Sequence, residues 1–256
     1  MAQALAADLH IKDGVATITL NRPEKKNSLS AELINSLCDN LKVCMDDEDV
    51  RAIILTSAGN TFCSGADLKS PLGQQSRYTL MDLFTLMQEG PKIIVGKIAG
   101  HCMGGGVGLA AACDISVMGD NSTMGFTEVR IGVAPAIISV VCLPKMRRAD
   151  AAELMLSGDR ISGTRAVEVG LINYAVPLDK LDSKVSELVA KLVRGGPHAL
   201  AATKSLIYKV PAMEVDQAFK WTAEVSAACF TSQEAKDGIM AFAQKKDAPW
   251  VPKSKL

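Results

Sequence analysis

Two runs of alternating apolar and polar residues open the chain, and a tight turn separates them. The stretch LHIKDGVATITLNRP, residues 9–23, holds an alternating run, the pair Asp13-Gly14 and a β-branched run. Asp-Gly between two such runs is typical of a β-hairpin, because both residues tolerate the positive φ angles of a two-residue turn. The pattern therefore predicts an N-terminal hairpin.

Apolar residues then change to helical spacing in residues 31–47, AELINSLCDNLKVCMDD. Ser30 precedes this segment, where its hydroxyl can cap the first helical turn, and Glu32 adds favourable negative charge there. From about residue 50 to 118 strands alternate with loops and helices; the strands are RAIILTS, KIIVGKIAG and DISVMG, and the first helix is YTLMDLFTLMQEG. Such alternation predicts α/β architecture. After about residue 145 the pattern is nearly all helical, which predicts a helical C-terminal region.

The composition narrows the functional classes. The 256 residues are 48% hydrophobic and carry 28 Lys and Arg against 28 Asp and Glu, so the formal net charge is zero. This length allows one well-buried core. The balanced charge argues against nucleic-acid binding, which usually shows as a basic excess. Because no apolar run approaches the roughly 20 residues that a membrane helix needs, we also expect no membrane anchor.

Seven cysteines and three histidines are scattered along the chain. No cysteine pair has Cys-x-x-Cys spacing and no histidine stands near an acidic cluster, so we expect no metal site. The odd number of cysteines in apolar surroundings favours reduced cysteines that pack as small hydrophobic side chains. The final residues Ser254-Lys255-Leu256 match the peroxisomal address. We therefore expect a peroxisomal matrix protein from a eukaryotic source and a cytoplasmic one from a bacterial source.

The strongest chemical signal is GHCMGGGVGLAAACDI, residues 100–115, where three glycines precede an alanine-rich segment. The spacing of Gly104, Gly106 and Leu109 does not fit a dinucleotide-binding loop, and no Gly-Lys-Ser/Thr follows as in a P-loop. Two interpretations stay open at this point. The glycines allow the loop to pack tightly against a strand, or they let a backbone N–H at a helix N-terminus point outward as an oxyanion site.

A second loop of small residues favours the oxyanion interpretation. The segment FCSGADL, residues 62–68, follows the strand RAIILTS as the glycine loop follows KIIVGKIAG. Two strand-to-helix loops in corresponding positions can each offer one backbone N–H to the same carbonyl oxygen. Such a pair of donors would stabilise an enolate.

Four ordered segments, NRPEKKNSL, FCSGADL, AGHCMGGGVGLAAACDI and MGFTEVRIGVAPA, together resemble the crotonase superfamily, the enoyl-CoA hydratase/isomerase family. The resemblance covers about residues 8–250 and implies an α/β fold of the crotonase (ClpP-like) type, a spiral of ββα units with a helical C-terminal region. It also implies a core that holds an acyl-CoA site in residues 1–195 and a helical trimerisation region in residues 196–256. The assembly would be a homotrimer or a homohexamer.

The resemblance also implies catalytic residues. The backbone N–H groups of Ala66 and Gly105 would hold the thioester oxygen of an acyl-CoA, and Glu128 would move the proton. Hydratases of the family usually carry a second glutamate three residues beyond the oxyanion glycine, and this chain has Gly108 there. We expect Gly108 to leave room for a bulky or branched acyl group. A single carboxylate suffices to carry a proton between C2 and C4, as in the single-glutamate isomerases of the family.

Coenzyme A would be part of the substrate, and we expect no separate cofactor. Its phosphates require basic side chains, for which Lys25, Lys26 and Lys69 are candidates. Phe242 and Lys245 match a family pattern that holds the adenine end, in some cases from a neighbouring subunit. The remaining residues expected along the acyl-CoA are Ser64, Asp67, Leu68 and Gly104.

Three functions follow in order of preference. The first is hydration of a 2-enoyl-CoA, and the second is a shift of a 3-enoyl double bond that uses Glu128 alone. The third, from a different class, is binding of acyl-CoA without turnover. In each case the partner is an acyl-CoA thioester.

Overall fold

The computed structural model describes residues 5–68 and 76–252, so Lys69 and Ser254-Lys255-Leu256 lie outside the described residues. Within these ranges the chain forms ten strands: β1 (Ala7–Lys12), β2 (Val15–Leu20), β3 (Ala52–Ser57), β4 (Thr61–Cys63), β5 (Ile93–Ile98), β6 (His101–Met103), β7 (Ile115–Gly119), β8 (Thr123–Gly125), β9 (Arg160–Ser162) and β10 (Tyr174–Val176). The α-helices are α1 (Ala31–Asp46), α2 (Leu80–Glu89), α3 (Gly105–Ala112), α4 (Ala136–Cys142), α5 (Arg148–Ser157), α6 (Gly163–Glu168), α7 (Leu181–Leu192), α8 (Pro197–Lys209), α9 (Val215–Thr231) and α10 (Gln233–Ala243).

The predicted hairpin and helix cap are both confirmed. Strands β1 and β2 pair antiparallel, and the turn residues Asp13 and Gly14 have φ angles of 50° and 76°. Positive φ at both central residues is the backbone that Asp-Gly favours. The Ser30 hydroxyl accepts a hydrogen bond from the Leu33 amide at 3.2 Å, which satisfies one amide of the first turn of α1.

Three consecutive ββα units build the core from β3 to α4. The first strand of each unit joins a six-stranded sheet of order β1-β2-β3-β5-β7-β10, and the second joins a four-stranded sheet of order β4-β6-β8-β9. Between successive units all the strand pairings are parallel. A helix follows each pair of strands, and these helices are α2, α3 and α4. The spiral of ββα units implied by the family resemblance is confirmed.

The short strands are the part of the sheets that apolar periodicity missed. Strands β4, β6 and β8 have three residues each and lie in stretches that the pattern treats as loops. Three residues are too few to show alternation, so parallel neighbours rather than local pattern define these strands. Strands β9 and β10 likewise interrupt the region after residue 145, which is therefore not entirely helical.

Two apolar clusters hold the layers together. The larger lies between the two sheets and helices α1 to α4 and contains the fully buried Phe62 and Phe126. The smaller packs the outer face of the six-stranded sheet against α7, where Val95 and Val117 contact Leu188 and its neighbours. Successive residues of β5 thus face opposite layers, as expected for a strand buried on both sides.

Helix α8 is attached to the core by a buried lysine. The Lys204 ammonium donates to the carbonyl oxygens of Met87 at 2.6 Å and Lys92 at 2.9 Å, and it pairs with Asp114 at 2.9 Å. Helices α9 and α10, by contrast, bury no residue in the single chain. The proposed division of the chain at residue 195 stays a prediction.

Candidate active site

Three loops meet at one edge of the four-stranded sheet. Strands β4, β6 and β8 are parallel neighbours, with Cys63 opposite Cys102 and Cys102 opposite Met124. The carboxyl ends of parallel neighbours lie at the same edge. The segments that follow these strands begin with Ser64, Gly104 and Phe126, so the chain brings the three motif loops together.

The amides of Ala66 and Gly105 are close neighbours at this edge. The Ala66 nitrogen lies 3.8 Å from the point that a Cβ on Gly105 would occupy, and the Gly105 nitrogen lies 3.4 Å from the corresponding point on Gly65. Within the described residues neither amide donates a hydrogen bond to another part of the chain, whereas the Gly104 amide donates to the Gly125 carbonyl at 3.0 Å. Gly105 begins α3, whose first amides have no partner inside the helix.

Gly104 is a position that only glycine fits. Its φ of 51° and ψ of −121° lie in a region that side chains rarely allow, and a Cβ there would come within 3.1 Å of Oε1 of Glu128. The glycine thus lets the carboxyl group of Glu128 approach the loop that carries the Gly105 amide.

Glu128 is held beside these amides on a 3-10 helix, Thr127–Ile131, which follows β8. Its Oε2 atom is buried without a hydrogen-bond partner from the described residues. Burial raises the pKa of the Glu128 carboxyl above its ordinary value, and a hydrogen bond from its own backbone opposes this in part. A buried carboxyl group with one uncommitted oxygen suits an acid/base role.

A cleft of about 640 Å³ contains these groups. Six of the predicted site residues line it: Ser64, Ala66, Leu68, Gly104, Gly105 and Glu128. Eight further lining residues were not predicted: Gly65, Thr127, Arg130, Ile131, Val133, Gly158, Asp159 and Arg160. Four of these stand in the quoted motif around Glu128, so their place in that motif was the available signal. Gly158 to Arg160 enter through the β8–β9 pairing, for which the sequence carried no signal.

Three of the residues predicted to bind the acyl-CoA, Lys25, Lys26 and Asp67, do not line the cleft. Lys25 and Lys26 are exposed, and the Lys26 carbonyl accepts a hydrogen bond from the Ser64 amide at 3.0 Å. Asp67 is half-buried beside the cleft, and its amide donates to the Leu29 carbonyl at 3.3 Å. The roles assigned to these residues toward coenzyme A stay predictions.

The other predicted coenzyme contacts, Phe242 and Lys245, stand at the end of the C-terminal helices. Phe242 is 87% exposed, and Lys245, just beyond α10, is exposed with a φ of 53°. Neither lines the cleft of this single chain. Their predicted role toward coenzyme A stays a prediction.

The expectation that Gly108 leaves room for an acyl group is wrong for this chain. Gly108 is buried and does not line the cleft. A Cβ at this position would lie 2.6 Å from Cγ2 of Ile138 and 2.8 Å from Cζ of Phe84. Both side chains are almost fully buried, so the space in front of Gly108 is filled by apolar groups. The glycine is required by close packing between α2, α3 and α4.

The described residues form neither a metal-ligand cluster nor a membrane-spanning helix. Residues 5–68 and 76–252 contain no cluster of three or more His, Cys, Asp or Glu side chains that could hold a metal ion. Among the same residues, no helix combines the length and the apolar character needed to cross a bilayer.

The chain is similar to known proteins of one family in sequence and in fold. The sequence model of the family described as "Enoyl-CoA hydratase/isomerase" matches residues 10–253. The crystal structure of an enoyl-CoA hydratase from Mycobacterium smegmatis superposes with a TM-score of 0.89 at 26% identity, covering 96% of this chain and 98% of that one. An enoyl-CoA hydratase from Mycobacterium tuberculosis superposes with a TM-score of 0.88 at 30% identity, covering 96% and 99%.

A further relative by sequence is the crotonyl-CoA hydratase of Syntrophomonas wolfei, 26% identical in an alignment that covers 96% of this chain and 97% of that protein. The sequence model of the family matches nearly the whole chain, and the fold is shared with solved enoyl-CoA hydratases. The chain therefore belongs to the enoyl-CoA hydratase/isomerase family.

Proposed function

We propose that the protein is an enoyl-CoA hydratase that adds water to a 2-enoyl-CoA through an enolate of the thioester. The observation that carries the proposal is the cleft in which the Ala66 and Gly105 amides and the Glu128 carboxyl lie together. Relatives named enoyl-CoA hydratase and crotonyl-CoA hydratase support the choice of substrate.

The two amides would stabilise charge that develops on the thioester oxygen. When hydroxide adds to C3, electrons move toward the carbonyl and the oxygen becomes an enolate oxyanion. Donors already aimed at that oxygen need no reorganisation, and losing one such donor typically costs about 10²- to 10³-fold in kcat. Because the donors are main-chain groups, side-chain substitution at position 66 or 105 acts through backbone position.

Glu128 would supply the proton transfer. As a carboxylate it removes a proton from the water that attacks C3, and as the resulting acid it returns that proton to C2. One water is thereby added across the double bond, and the carboxylate is regenerated. Burial raises the pKa of the Glu128 carboxyl toward the operating pH, which suits a group that must both accept the proton and release it.

A second candidate reaction is the shift of a 3-enoyl double bond to the 2 position. The observation in its favour is the apolar packing of Ile138 and Phe84 against Gly108, where hydratases of the family usually carry their second glutamate. A double-bond shift needs no water. Glu128 would take the proton from C2 and deliver it to C4, with the same two amides holding the enolate.

Three thioesters assayed side by side test these proposals: crotonyl-CoA, a branched 2-enoyl-CoA and a 3-enoyl-CoA. Hydration appears as loss of the conjugated enoyl absorbance, and isomerisation of the 3-enoyl-CoA as its gain. Glu128→Gln is the matched control, because it keeps the shape of the side chain and removes the acid/base function. Binding of each thioester without turnover by the wild-type protein would contradict both reactions and support the non-catalytic alternative.

We also propose that the protein assembles as a homotrimer or a dimer of trimers. The C-terminal helices expose large apolar side chains, with Phe219 at 71%, Phe230 at 73% and Phe242 at 87%. A different apolar face on α4 exposes Val140 at 71%. Two unlike apolar faces on one chain favour head-to-tail contacts that close into a ring. Sedimentation equilibrium measures the assembly directly, and a monomer at micromolar concentration would contradict this proposal.

A further inference from the structure

Leu29 lies between the two loops that carry the Ala66 and Gly105 amides. It ends the motif NRPEKKNSL and is fully buried, although it precedes α1 and belongs to no long strand. It forms an isolated parallel bridge with Ala66. Its backbone and its side chain contact different loops of the candidate site.

The main chain of Leu29 holds the residues on both sides of Ala66. The Leu29 amide donates to the Gly65 carbonyl at 2.8 Å, and the Leu29 carbonyl accepts from the Asp67 amide at 3.3 Å. In a parallel bridge of this kind, the residue between the two bonded neighbours directs its own N–H to the opposite side of the strand. Leu29 therefore turns the Ala66 amide away from itself and toward the cleft.

The side chain of Leu29 reaches the second loop. Its Cδ1 atom lies 2.6 Å from the point that a Cβ on Gly105 would occupy. The φ of Gly105 is not positive, so contact with Leu29, rather than backbone conformation, requires a glycine there. One residue thus bonds to the segment around Ala66 through its backbone and packs on Gly105 through its side chain.

The loop that carries Leu29 is itself rigidly held. The buried Asn27 side chain donates to the carbonyl oxygens of Ala58 at 3.0 Å and Thr61 at 2.7 Å, and it accepts from the Arg22 amide at 2.8 Å. The Ser64 amide donates to the Lys26 carbonyl at 3.0 Å, next to the bonds made by Leu29. Because these hydrogen bonds hold the loop in place, Leu29 can hold the Ala66 and Gly105 amides in place as well.

We propose that Leu29 is a positioning residue that sets the separation of the Ala66 and Gly105 amides for one carbonyl oxygen. The inference rests on the proposed oxyanion role of these amides. Removal of the δ-methyl groups leaves the backbone bonds to the Ala66 segment intact but removes the contact on Gly105. Both amides are then still present, but the distance between them is no longer set for a single carbonyl oxygen.

The test compares Leu29→Val and Leu29→Ala with Leu37→Ala. Leu37 is equally buried but lies within α1 rather than before it, so Leu37→Ala matches the loss of core volume. Leu29→Met, whose side chain is unbranched but similar in volume to that of leucine, is the rescue variant. Two measurements are made on each: turnover of crotonyl-CoA and the absorption maximum of bound para-dimethylaminocinnamoyl-CoA. The absorption maximum of this probe moves to longer wavelength when its carbonyl is polarised.

For Leu29→Val and Leu29→Ala we expect kcat to fall about 10- to 100-fold with little change in KM, since a displacement of about 1 Å can cost 10²-fold. The red shift of the bound probe should shrink in parallel. Leu37→Ala should keep both the shift and kcat, and Leu29→Met should restore most of each. Leu29→Val removes less side-chain volume than Leu29→Ala. If Leu29→Ala does not fold, Leu29→Val still provides the measurement.

Each other outcome decides the matter. An unchanged shift and kcat in Leu29→Val would overturn the proposal, and so would an equal loss in Leu37→Ala. A wild-type protein that shows no red shift would overturn it too, because there would be no polarising site to position. If the wild type shifts the probe but turns over no enoyl-CoA, loss of that shift in Leu29→Val still supports the positioning role, while the proposed reactions fail.

Discussion

Two carboxyl groups that are partly shielded from solvent lie at opposite ends of α3, and their surroundings differ. Beyond the C-terminal end, Asp114 accepts hydrogen bonds from the Ile94 amide at 2.7 Å and the Tyr208 hydroxyl at 3.2 Å, and it pairs with Lys204 at 2.9 Å. At the N-terminal end, Oε2 of Glu128 is buried and has no partner among the described residues.

The difference in hydrogen bonding distinguishes a structural carboxyl group, Asp114, from a candidate catalytic one, Glu128. Burial raises the pKa of both carboxyl groups, but at Asp114 the ammonium of Lys204 and the two hydrogen-bond donors act against it. Buried polar groups are normally hydrogen-bonded, so a satisfied one needs no functional explanation and an unsatisfied one does. Asp114 joins α8 to the core, whereas Glu128 has an oxygen left for a substrate.

The largest effect is expected from Glu128→Gln. Removing a general acid/base lowers kcat by about 10²- to 10⁴-fold, and the amide cannot replace the carboxylate as a base. Stability to heat should not fall, because the substitution removes a poorly solvated carboxyl group and keeps its shape. Turnover of crotonyl-CoA and a thermal unfolding curve measure the two effects. Full turnover in this variant would remove Glu128 from the mechanism.

Asp114→Asn should show the opposite pattern. It leaves the buried ammonium of Lys204 without its anion, and breaking a buried ion pair costs about 3–5 kcal/mol of unfolding free energy. Turnover by the folded protein should change little. Urea unfolding provides the measurement. The control is Asp182→Asn, which breaks a surface pair with Lys97 where Asp182 is 80% exposed, and it should cost less than about 1 kcal/mol. Equal losses in the two variants would contradict the contrast.

Gly108→Ala tests the packing between the two carboxyl groups. The added methyl meets Ile138 and Phe84, so we expect a loss of about 1–3 kcal/mol in unfolding free energy. Combining it with Ile138→Ala, which removes the Cγ2 atom that the added methyl would meet, should recover part of that loss, as a positive coupling in a double-mutant cycle. Gly163→Ala, whose methyl would meet nothing nearer than 3.3 Å, is the control and should change stability by less than about 1 kcal/mol. A stable Gly108→Ala variant would restore the idea of open space there.

The smallest effect is on pH dependence. With Glu128 as the base of the free enzyme, kcat/KM should rise with pH through an inflection above the ordinary glutamic acid value of 4.5. Because burial raises the pKa in the folded state, the protonated form favours folding below the unfolded pKa, and this stability is lost as pH rises through the folded pKa. Glu128→Gln should therefore gain stability relative to wild type only at the higher pH. An inflection at or below the ordinary value would contradict the burial of Glu128.

Sequence reasoning succeeded where the signal is local. The Asp13-Gly14 turn, the Ser30 cap and the long strands β3 and β5 follow from residue type and periodicity, and all were found. It failed where a feature depends on a distant neighbour. Three-residue strands show no alternation, and the Gly158–Arg160 wall of the cleft enters through pairing of β9 with β8.

Gly108 shows why a motif position can mislead. The missing glutamate was visible in the sequence, but the space in front of it was inferred to be empty. Ile138 and Phe84, thirty and twenty-four residues away along the chain, fill that space. The identity of a residue limits what it can contribute, and its packing partners limit what can approach it.

By itself, the sequence determined the α/β order of elements, the family, and which three segments carry the candidate amides and carboxyl group, because turn, cap and motif signals depend on residues near in the chain. Only the tertiary structure decided that these segments meet at one sheet edge, that Glu128 keeps an unpartnered oxygen while Asp114 keeps none, and that Leu29 contacts both amide loops. These properties are distances between groups far apart in the chain, and such distances exist only once the strands have paired and the layers have packed.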